Sequence, residues 1–275
     1  MLVRCYCLPL LLLLTCVPSA FALDGTRIEA GTDTALIGSS PYGYLAYLPP
    51  GYSSAPTTRW PLWIFIQGLG EGGPGTVASM RNTGNGIVRH GPMRELWRLS
   101  GAFDDSVAHD YPMIVISPQV AGGITDIAKL DTFITVMLAT YRIDPDRVVL
   151  TGMSTGGGDT MFYTHYQAAN ARRLAGSMPM VATKNYPTDG TGPGLAANCT
   201  LTQMWMLTAF DDTNNGGTVN TAYAWSDAIA QALITPQTPS PATLQPSYPY
   251  GGPSSTYASA NHQTATYSAT GAWGW

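Results

Sequence analysis

Apolar runs separated by turn residues dominate the first half of the chain. Residues 42–52, YGYLAYLPPGY, read as a strand that stops at a Pro-Pro-Gly turn, and residues 60–73, WPLWIFIQGLGEGG, as an apolar strand entering a glycine-rich loop. Residues 111–119, YPMIVISPQ, repeat that form. A strand apolar at every position, as over 62–66, has both faces covered and belongs in the middle of a sheet. Between 126 and 141 the period changes. Ile127, Leu130, Ile134, Met137, Leu138 and Tyr141 recur at helical spacing, with Asp126 placed to serve the first turn. RIDPDRVVLTG then predicts a turn around Pro145 and a short β-branched strand over 147–150. A helical stretch, TMFYTHYQAA, follows Ser154. Further strands are expected at 175–183 and 204–210, and a helix at 221–233. Strands alternating with helices predict an α/β fold, a mostly parallel central sheet flanked by helices. No internal repeat interrupts the alternation.

The two ends differ from this body. MLVRCYCLPLLLLLTCVPSAFA carries a basic residue, an apolar run over 8–14 and a small-x-small ending, the pattern of a secretory signal over 1–22. The run is far shorter than the roughly 20 residues of a membrane span, so the expectation is a secreted or periplasmic protein with no stable membrane insertion. Residues 23–235 form the main domain. Residues 236–275 turn to Pro, Ser, Thr, Ala and Tyr, with no charged residue after Asp227, and are read as the C-terminal part of the same domain.

Composition narrows the partners. Charged residues are 11% of 275, and the formal net charge is −4, so there is no basic face to hold phosphate backbones and no nucleic acid is expected. Removal of the signal takes away Cys5, Cys7 and Cys16 and leaves Cys199 alone, which allows neither an internal disulfide nor a cysteine-based metal site. No metal and no organic cofactor are expected. Asn198 in NCT is a glycosylation acceptor only in a eukaryotic source.

The candidate chemistry sits in LTGMSTGGG, residues 150–158. A strand before Ser154, a helix after it and glycines at 152, 156 and 157 are what a nucleophile elbow requires: a tight turn projects Oγ, and side chains on either side would clash. The helix N-terminus aims amide donors at the same place. A serine needs a base, oriented by a carboxylate. The strand at 204–210 ends in Asp211 and Asp212, and His262 is the histidine that follows them in the chain. His90 and His109 precede the elbow, and His165 lies about three turns along the elbow helix. These three are read as structural. The oxyanion donors are expected to be the backbone N–H groups of Thr155, after the nucleophile, and Leu69, in QGLGEGG. Gln67 and Glu71 are either supports of that loop or solvent-facing polar residues. Trp97, Tyr163, Tyr186, Trp205 and Trp225 are either core aromatics or pocket lining, the former being the more ordinary reading.

Taken in order, YLAYLPPGY, WPLWIFIQGLGEGG, RHGPMREL, YPMIVISPQ, RIDPDRVVLTGMSTGGGDTMFY and MWMLTAFDDTN resemble the secreted and periplasmic serine esterases of the α/β-hydrolase superfamily. The similar groups are the bacterial phospholipase/carboxylesterase-like, polyhydroxybutyrate depolymerase-like and feruloyl-esterase-like enzymes, over residues 42 to 233. The resemblance implies an α/β-hydrolase catalytic domain over 23–235 that cleaves carboxylic esters through an acyl-enzyme, with short acyl, feruloyl or acetyl, or polyester substrates. Ser154 is then the nucleophile and Asp212, rather than Asp211, the acid. Gln67-Gly68 stands where such enzymes carry His-Gly, which keeps the backbone and loses the imidazole. The C-terminus departs further: no apolar strand precedes His262 and no helix follows it. Either His262 is the base in an altered ending, or the chain given stops before the last strand, the base and the last helix. The competing expectation is a catalytically silent hydrolase-fold protein that binds carbohydrate or polymer. A small-molecule or polymeric ester is the expected partner, and a monomer the expected state.

Overall fold

The computed structural model of the chain describes residues 25–97, 111–124, 126–182, 198, 201–205 and 207. Among these, strands form one sheet in the order β1-β2-β4-β3-β5-β6-β7. The strands are β1 (Thr26–Ala30), β2 (Gly43–Leu48), β3 (Trp60–Ile66), β4 (Ile114–Gln119), β5 (Ile143–Met153), β6 (Gly176–Met180) and β7 (Gln203–Met204). The pairs from β4 through β3, β5 and β6 to β7 are all parallel, and β2 lies antiparallel to both its neighbours. This is the expected α/β architecture, a mostly parallel sheet flanked by helices, in which the interior strand β5 leads into the turn at Ser154.

Period-two alternation explains why the strands look continuously apolar. Tyr44, Ala46, Leu48, Leu62, Ile64, Ile66, Ile114 and Ile116 join one buried cluster, with Leu150 and Tyr163. Their alternates Leu45, Tyr47, Trp63 and Val115 join another on the opposite face. Each face therefore has its own helical cover. The first is covered by α3 (Ile127–Thr140), which buries Ile127, Leu130, Phe133, Ile134 and Met137 along one stripe. The second is covered through Met80 of α1 (Val77–Met80) and Met93 and Leu96 of α2 (Gly91–Leu96). Asp126 is the N-cap of α3, its side chain accepting from Lys129 N–H at 3.1 Å.

Some expectations are refined. The turn around Pro145 is an excursion inside β5: Trp60 pairs with Ile143, and the next register pair is Leu62 with Val148. Asp144 Oδ1 accepts from Asp146 N–H at 3.1 Å and closes that excursion. The expected strand at 204–210 is described only at Gln203–Met204 and as a bridge between Met180 and Leu207. The helix expected at 221–233, the segment 236–275 and the leader 1–22 lie outside the described residues. No helix among the described residues is long and apolar enough to cross a membrane.

Candidate active site

β5 ends at Met153 and α4 (Thr155–Tyr166) begins at Thr155, so Ser154 alone makes the turn between them. Its backbone sits at φ 58°, ψ −118°, a region that side chains other than glycine rarely adopt. Strain of this kind costs on the order of 1–3 kcal/mol and persists only where the surroundings impose it. Here Ser154 N–H donates to Met180 C=O on β6 at 2.9 Å, and Gly158 N–H donates to Ser154 C=O at 3.0 Å. Close packing does the rest. A Cβ on Gly156 would stand 2.5 Å from the Gln67 carbonyl oxygen, and one on Gly152 would stand 2.9 Å from Thr160 Oγ1. The result is a turn that exposes one residue: from Leu150 to Met161, every position is buried except Ser154.

The expected oxyanion loop lies against this turn. A Cβ built on Gly68 would meet Met153 Cε at 3.3 Å and Ser154 Cβ at 3.7 Å. Leu69 begins a single 3₁₀ turn, Leu69–Glu71, just as Thr155 begins α4. The first N–H of a helical turn has no acceptor within its own helix. Two such amides thus belong to segments in contact beside one serine. Leu69 is 61% exposed, which leaves an apolar side chain at the surface in the segment that lies against Ser154.

The open alternative for Gln67 and Glu71 resolves as support, since each is only 1% exposed. Gln67 Nε2 donates to Val120 C=O at 2.8 Å. Glu71 Oε2 accepts from Gly68 N–H at 3.0 Å, and Oε1 pairs with His90 Nδ1. Gln119, at the end of β4, donates from Nε2 to Glu71 C=O at 3.0 Å and accepts at Oε1 from Gly75 N–H and Ser79 Oγ. Sequence reasoning offered Gln67 and Glu71 as supports without deciding it, and did not find His90 and Gln119 in this layer, because a buried polar side chain in a loop carries no periodic signal.

His165 is buried on α4 and interacts through Nδ1 with Phe162 C=O at 2.7 Å, in keeping with a structural role. Asn198 Nδ2 donates to His165 C=O at 2.7 Å. Burial pulls the His165 imidazole down to about 3 from the ordinary 6.5. Between those values the unfolded chain binds a proton that the folded chain refuses. The stability associated with His165 is therefore complete above about pH 7 and declines as pH falls from 6.5 towards 3. A His165→Asn variant is expected to lose less of its urea midpoint between pH 7 and 4.5 than the wild type. Parallel declines would contradict this.

Tyr163 belongs to the main core and donates from its hydroxyl to Asp131 Oδ1 at 2.7 Å. Trp97 is buried on the opposite face and donates from Nε1 to Glu29. Trp205 packs on Phe65, Met153, Met178, Met180, Val181 and Leu207, the apolar cluster behind the elbow. Tyr186 and Trp225 lie outside the described residues, as do Asp211, Asp212, His262, His109 and Cys199. Among the described residues, no three His, Cys, Asp or Glu side chains gather into a metal-binding group.

No protein-family model matches the chain, and no curated protein matches it. Similar solved structures include a thermostable esterase, at 16% identity over 77% of this chain and a TM-score of 0.45. This chain spans 51% of the length of that one. A feruloyl esterase module from Clostridium thermocellum is 16% identical over 77% of this chain and 73% of its own, with a TM-score of 0.45. A ferulic acid esterase from Anaeromyces mucronatus is 13% identical over 76% of this chain and 78% of its own, with a TM-score of 0.42.

Proposed function

We propose that the chain is a serine hydrolase of carboxylic esters. The observation that carries this reading is the backbone of Ser154, strained at φ 58° and alone not fully buried along the strand-to-helix junction. Strain held at one partly exposed nucleophile, with the first amides of two helical turns in adjoining segments, suits a group that attacks a carbonyl and a cradle that holds the resulting charge. Ser154 Oγ attacks the ester carbonyl carbon while a histidine takes its proton. The Leu69 and Thr155 N–H groups stabilise the oxyanion. The tetrahedral intermediate collapses, the histidine returns the proton to the leaving alcohol, and water then hydrolyses the acyl-enzyme by the same sequence.

In this reading Asp212 orients His262, and both belong to the part of the proposal that rests on sequence order and, for Asp212, on the family resemblance. The substrate class is short acyl esters first, then feruloyl or acetyl esters of plant polysaccharides, then polyesters. Residues 1–22 act as an export signal, and the enzyme works outside the cytoplasm as a monomer. Turnover of p-nitrophenyl acetate and butyrate by the protein from residue 23 onward, beside its Ser154→Ala variant, tests the proposal. Equal rates for the two would overturn it and leave a fold that only binds.

A further inference from the structure

Beneath the oxyanion loop lies a pair of titratable side chains that the proposed reaction does not use. Glu71 holds Gly68 from both sides. Its carboxylate Oε2 accepts from Gly68 N–H at 3.0 Å, and its own backbone N–H donates to Gly68 C=O at 3.1 Å. The peptide that carries Gly68 C=O also carries Leu69 N–H, and a trans peptide is planar, with the two pointing in opposite directions. Fixing Gly68 C=O towards Glu71 N–H therefore fixes Leu69 N–H away from it.

A carboxylate 1% exposed is costly unless it is paired. His90, 8% exposed, supplies that partner by placing Nδ1 against Glu71 Oε1. His90 is itself held in place. It precedes α2, and the next residue, Gly91, has φ 68° and leaves room for no Cβ, which would stand 2.7 Å from Phe65 Cζ on β3.

We infer that Glu71 and His90 are a positioning pair: Glu71 sets the Leu69 amide for the oxyanion, and His90 holds the carboxyl group that does so. The inference rests on the ester hydrolase reading and names residues of that same site. Neither side chain touches substrate, so both act through the Gly68–Leu69 peptide.

The test is steady-state hydrolysis of p-nitrophenyl butyrate, with active sites titrated by a fluorophosphonate and folding checked by thermal melting. Inhibition by an alkyl boronic acid, which mimics the tetrahedral intermediate, is measured in parallel. Glu71→Ala is expected to lower kcat per titrated site by about ten- to a hundredfold, somewhat less than outright loss of an oxyanion donor. KM should stay within about threefold, and boronic acid affinity should fall with kcat. Glu71→Gln, which keeps an acceptor for Gly68 N–H, restores most of the rate. His90→Leu leaves the buried Glu71 carboxyl group without its partner and lowers kcat about tenfold, and the double variant Glu71→Gln/His90→Leu, whose amide is less costly to leave unpaired, recovers it. The double variant and Glu71→Gln carry the test even where Glu71→Ala does not fold. Unchanged kcat per site in Glu71→Ala, or in His90→Leu, overturns the inference, as does loss of rate without loss of boronic acid affinity. A wild type that neither turns over ester nor takes the probe overturns the ester hydrolase reading and this inference with it. An active wild type with indifferent variants overturns only the pair.

Discussion

Replacing Ser154 by alanine is expected to lower ester turnover by about 10⁴ or more while leaving the fold intact. The size follows from chemistry: without Oγ there is no acyl-enzyme, and only the cradle of amides and substrate binding remain. The fold survives because alanine bears much the same backbone cost as serine at φ 58°, and because the side chain is small and only partly buried. Ser154→Gly sharpens the expectation. Glycine adopts that conformation freely, so this variant should be as inactive as alanine and more stable than the wild type, by about 1 kcal/mol. Urea unfolding of the three proteins checks it. A Ser154→Gly variant less stable than the wild type would contradict the view that strain is stored at the nucleophile.

Gly156→Ala is expected to be the most damaging single methyl in the elbow. The added Cβ would stand 2.5 Å from the Gln67 carbonyl oxygen and 2.7 Å from the Ile66 carbonyl carbon. Both are backbone atoms at the end of β3, so relief requires α4 and the loop after β3 to separate. Overpacking of this kind costs about 3 kcal/mol or more, and here it would also spread the two amides around the serine. Gly70→Ala is the control from the same loop. Its nearest neighbour would be Arg89 Nη1 at 3.7 Å, an ordinary contact, so its melting temperature should stay close to that of the wild type. Similar melting temperatures for Gly156→Ala and the wild type would show that the helix does not pack on the loop as described.

Elements with a sustained pattern were legible from the residues. β3 and β4 announce themselves because both faces are covered, so that β3 is apolar throughout and β4 opens on the apolar run Ile114–Ile116, and α3 because its buried residues recur along one stripe. β1, TRIEA, stayed hidden because it lies at the sheet edge with its first two residues exposed and a charge at Arg27 and Glu29. α1 and α2 were missed as elements because four and six residues are too few to display a helical period. Pro145 suggested a break, and the chain instead leaves and rejoins the same strand.

In the site, glycine spacing around Ser154 was readable because close packing leaves no alternative to glycine. The pairing of Glu71 with His90 was not readable, since it joins two loops through side chains that either could have left in solvent. Asp212 was read from chain order and the family resemblance, His262 from chain order, and both lie outside the described residues. The elbow and the loop beside it are thus described structurally, while the base and acid of the proposed reaction rest on sequence.

The central claim is that Ser154 is an activated nucleophile, and covalent labelling addresses it without presuming a substrate. A fluorophosphonate reacts with a serine only where a base removes its proton and a cradle receives the charge on phosphorus oxygen. The protein from residue 23 onward, treated with the probe and digested, should carry the adduct on the peptide containing Ser154, and the Ser154→Ala protein should carry none. Absence of the adduct from a folded wild type, or its appearance on another residue, would contradict the account.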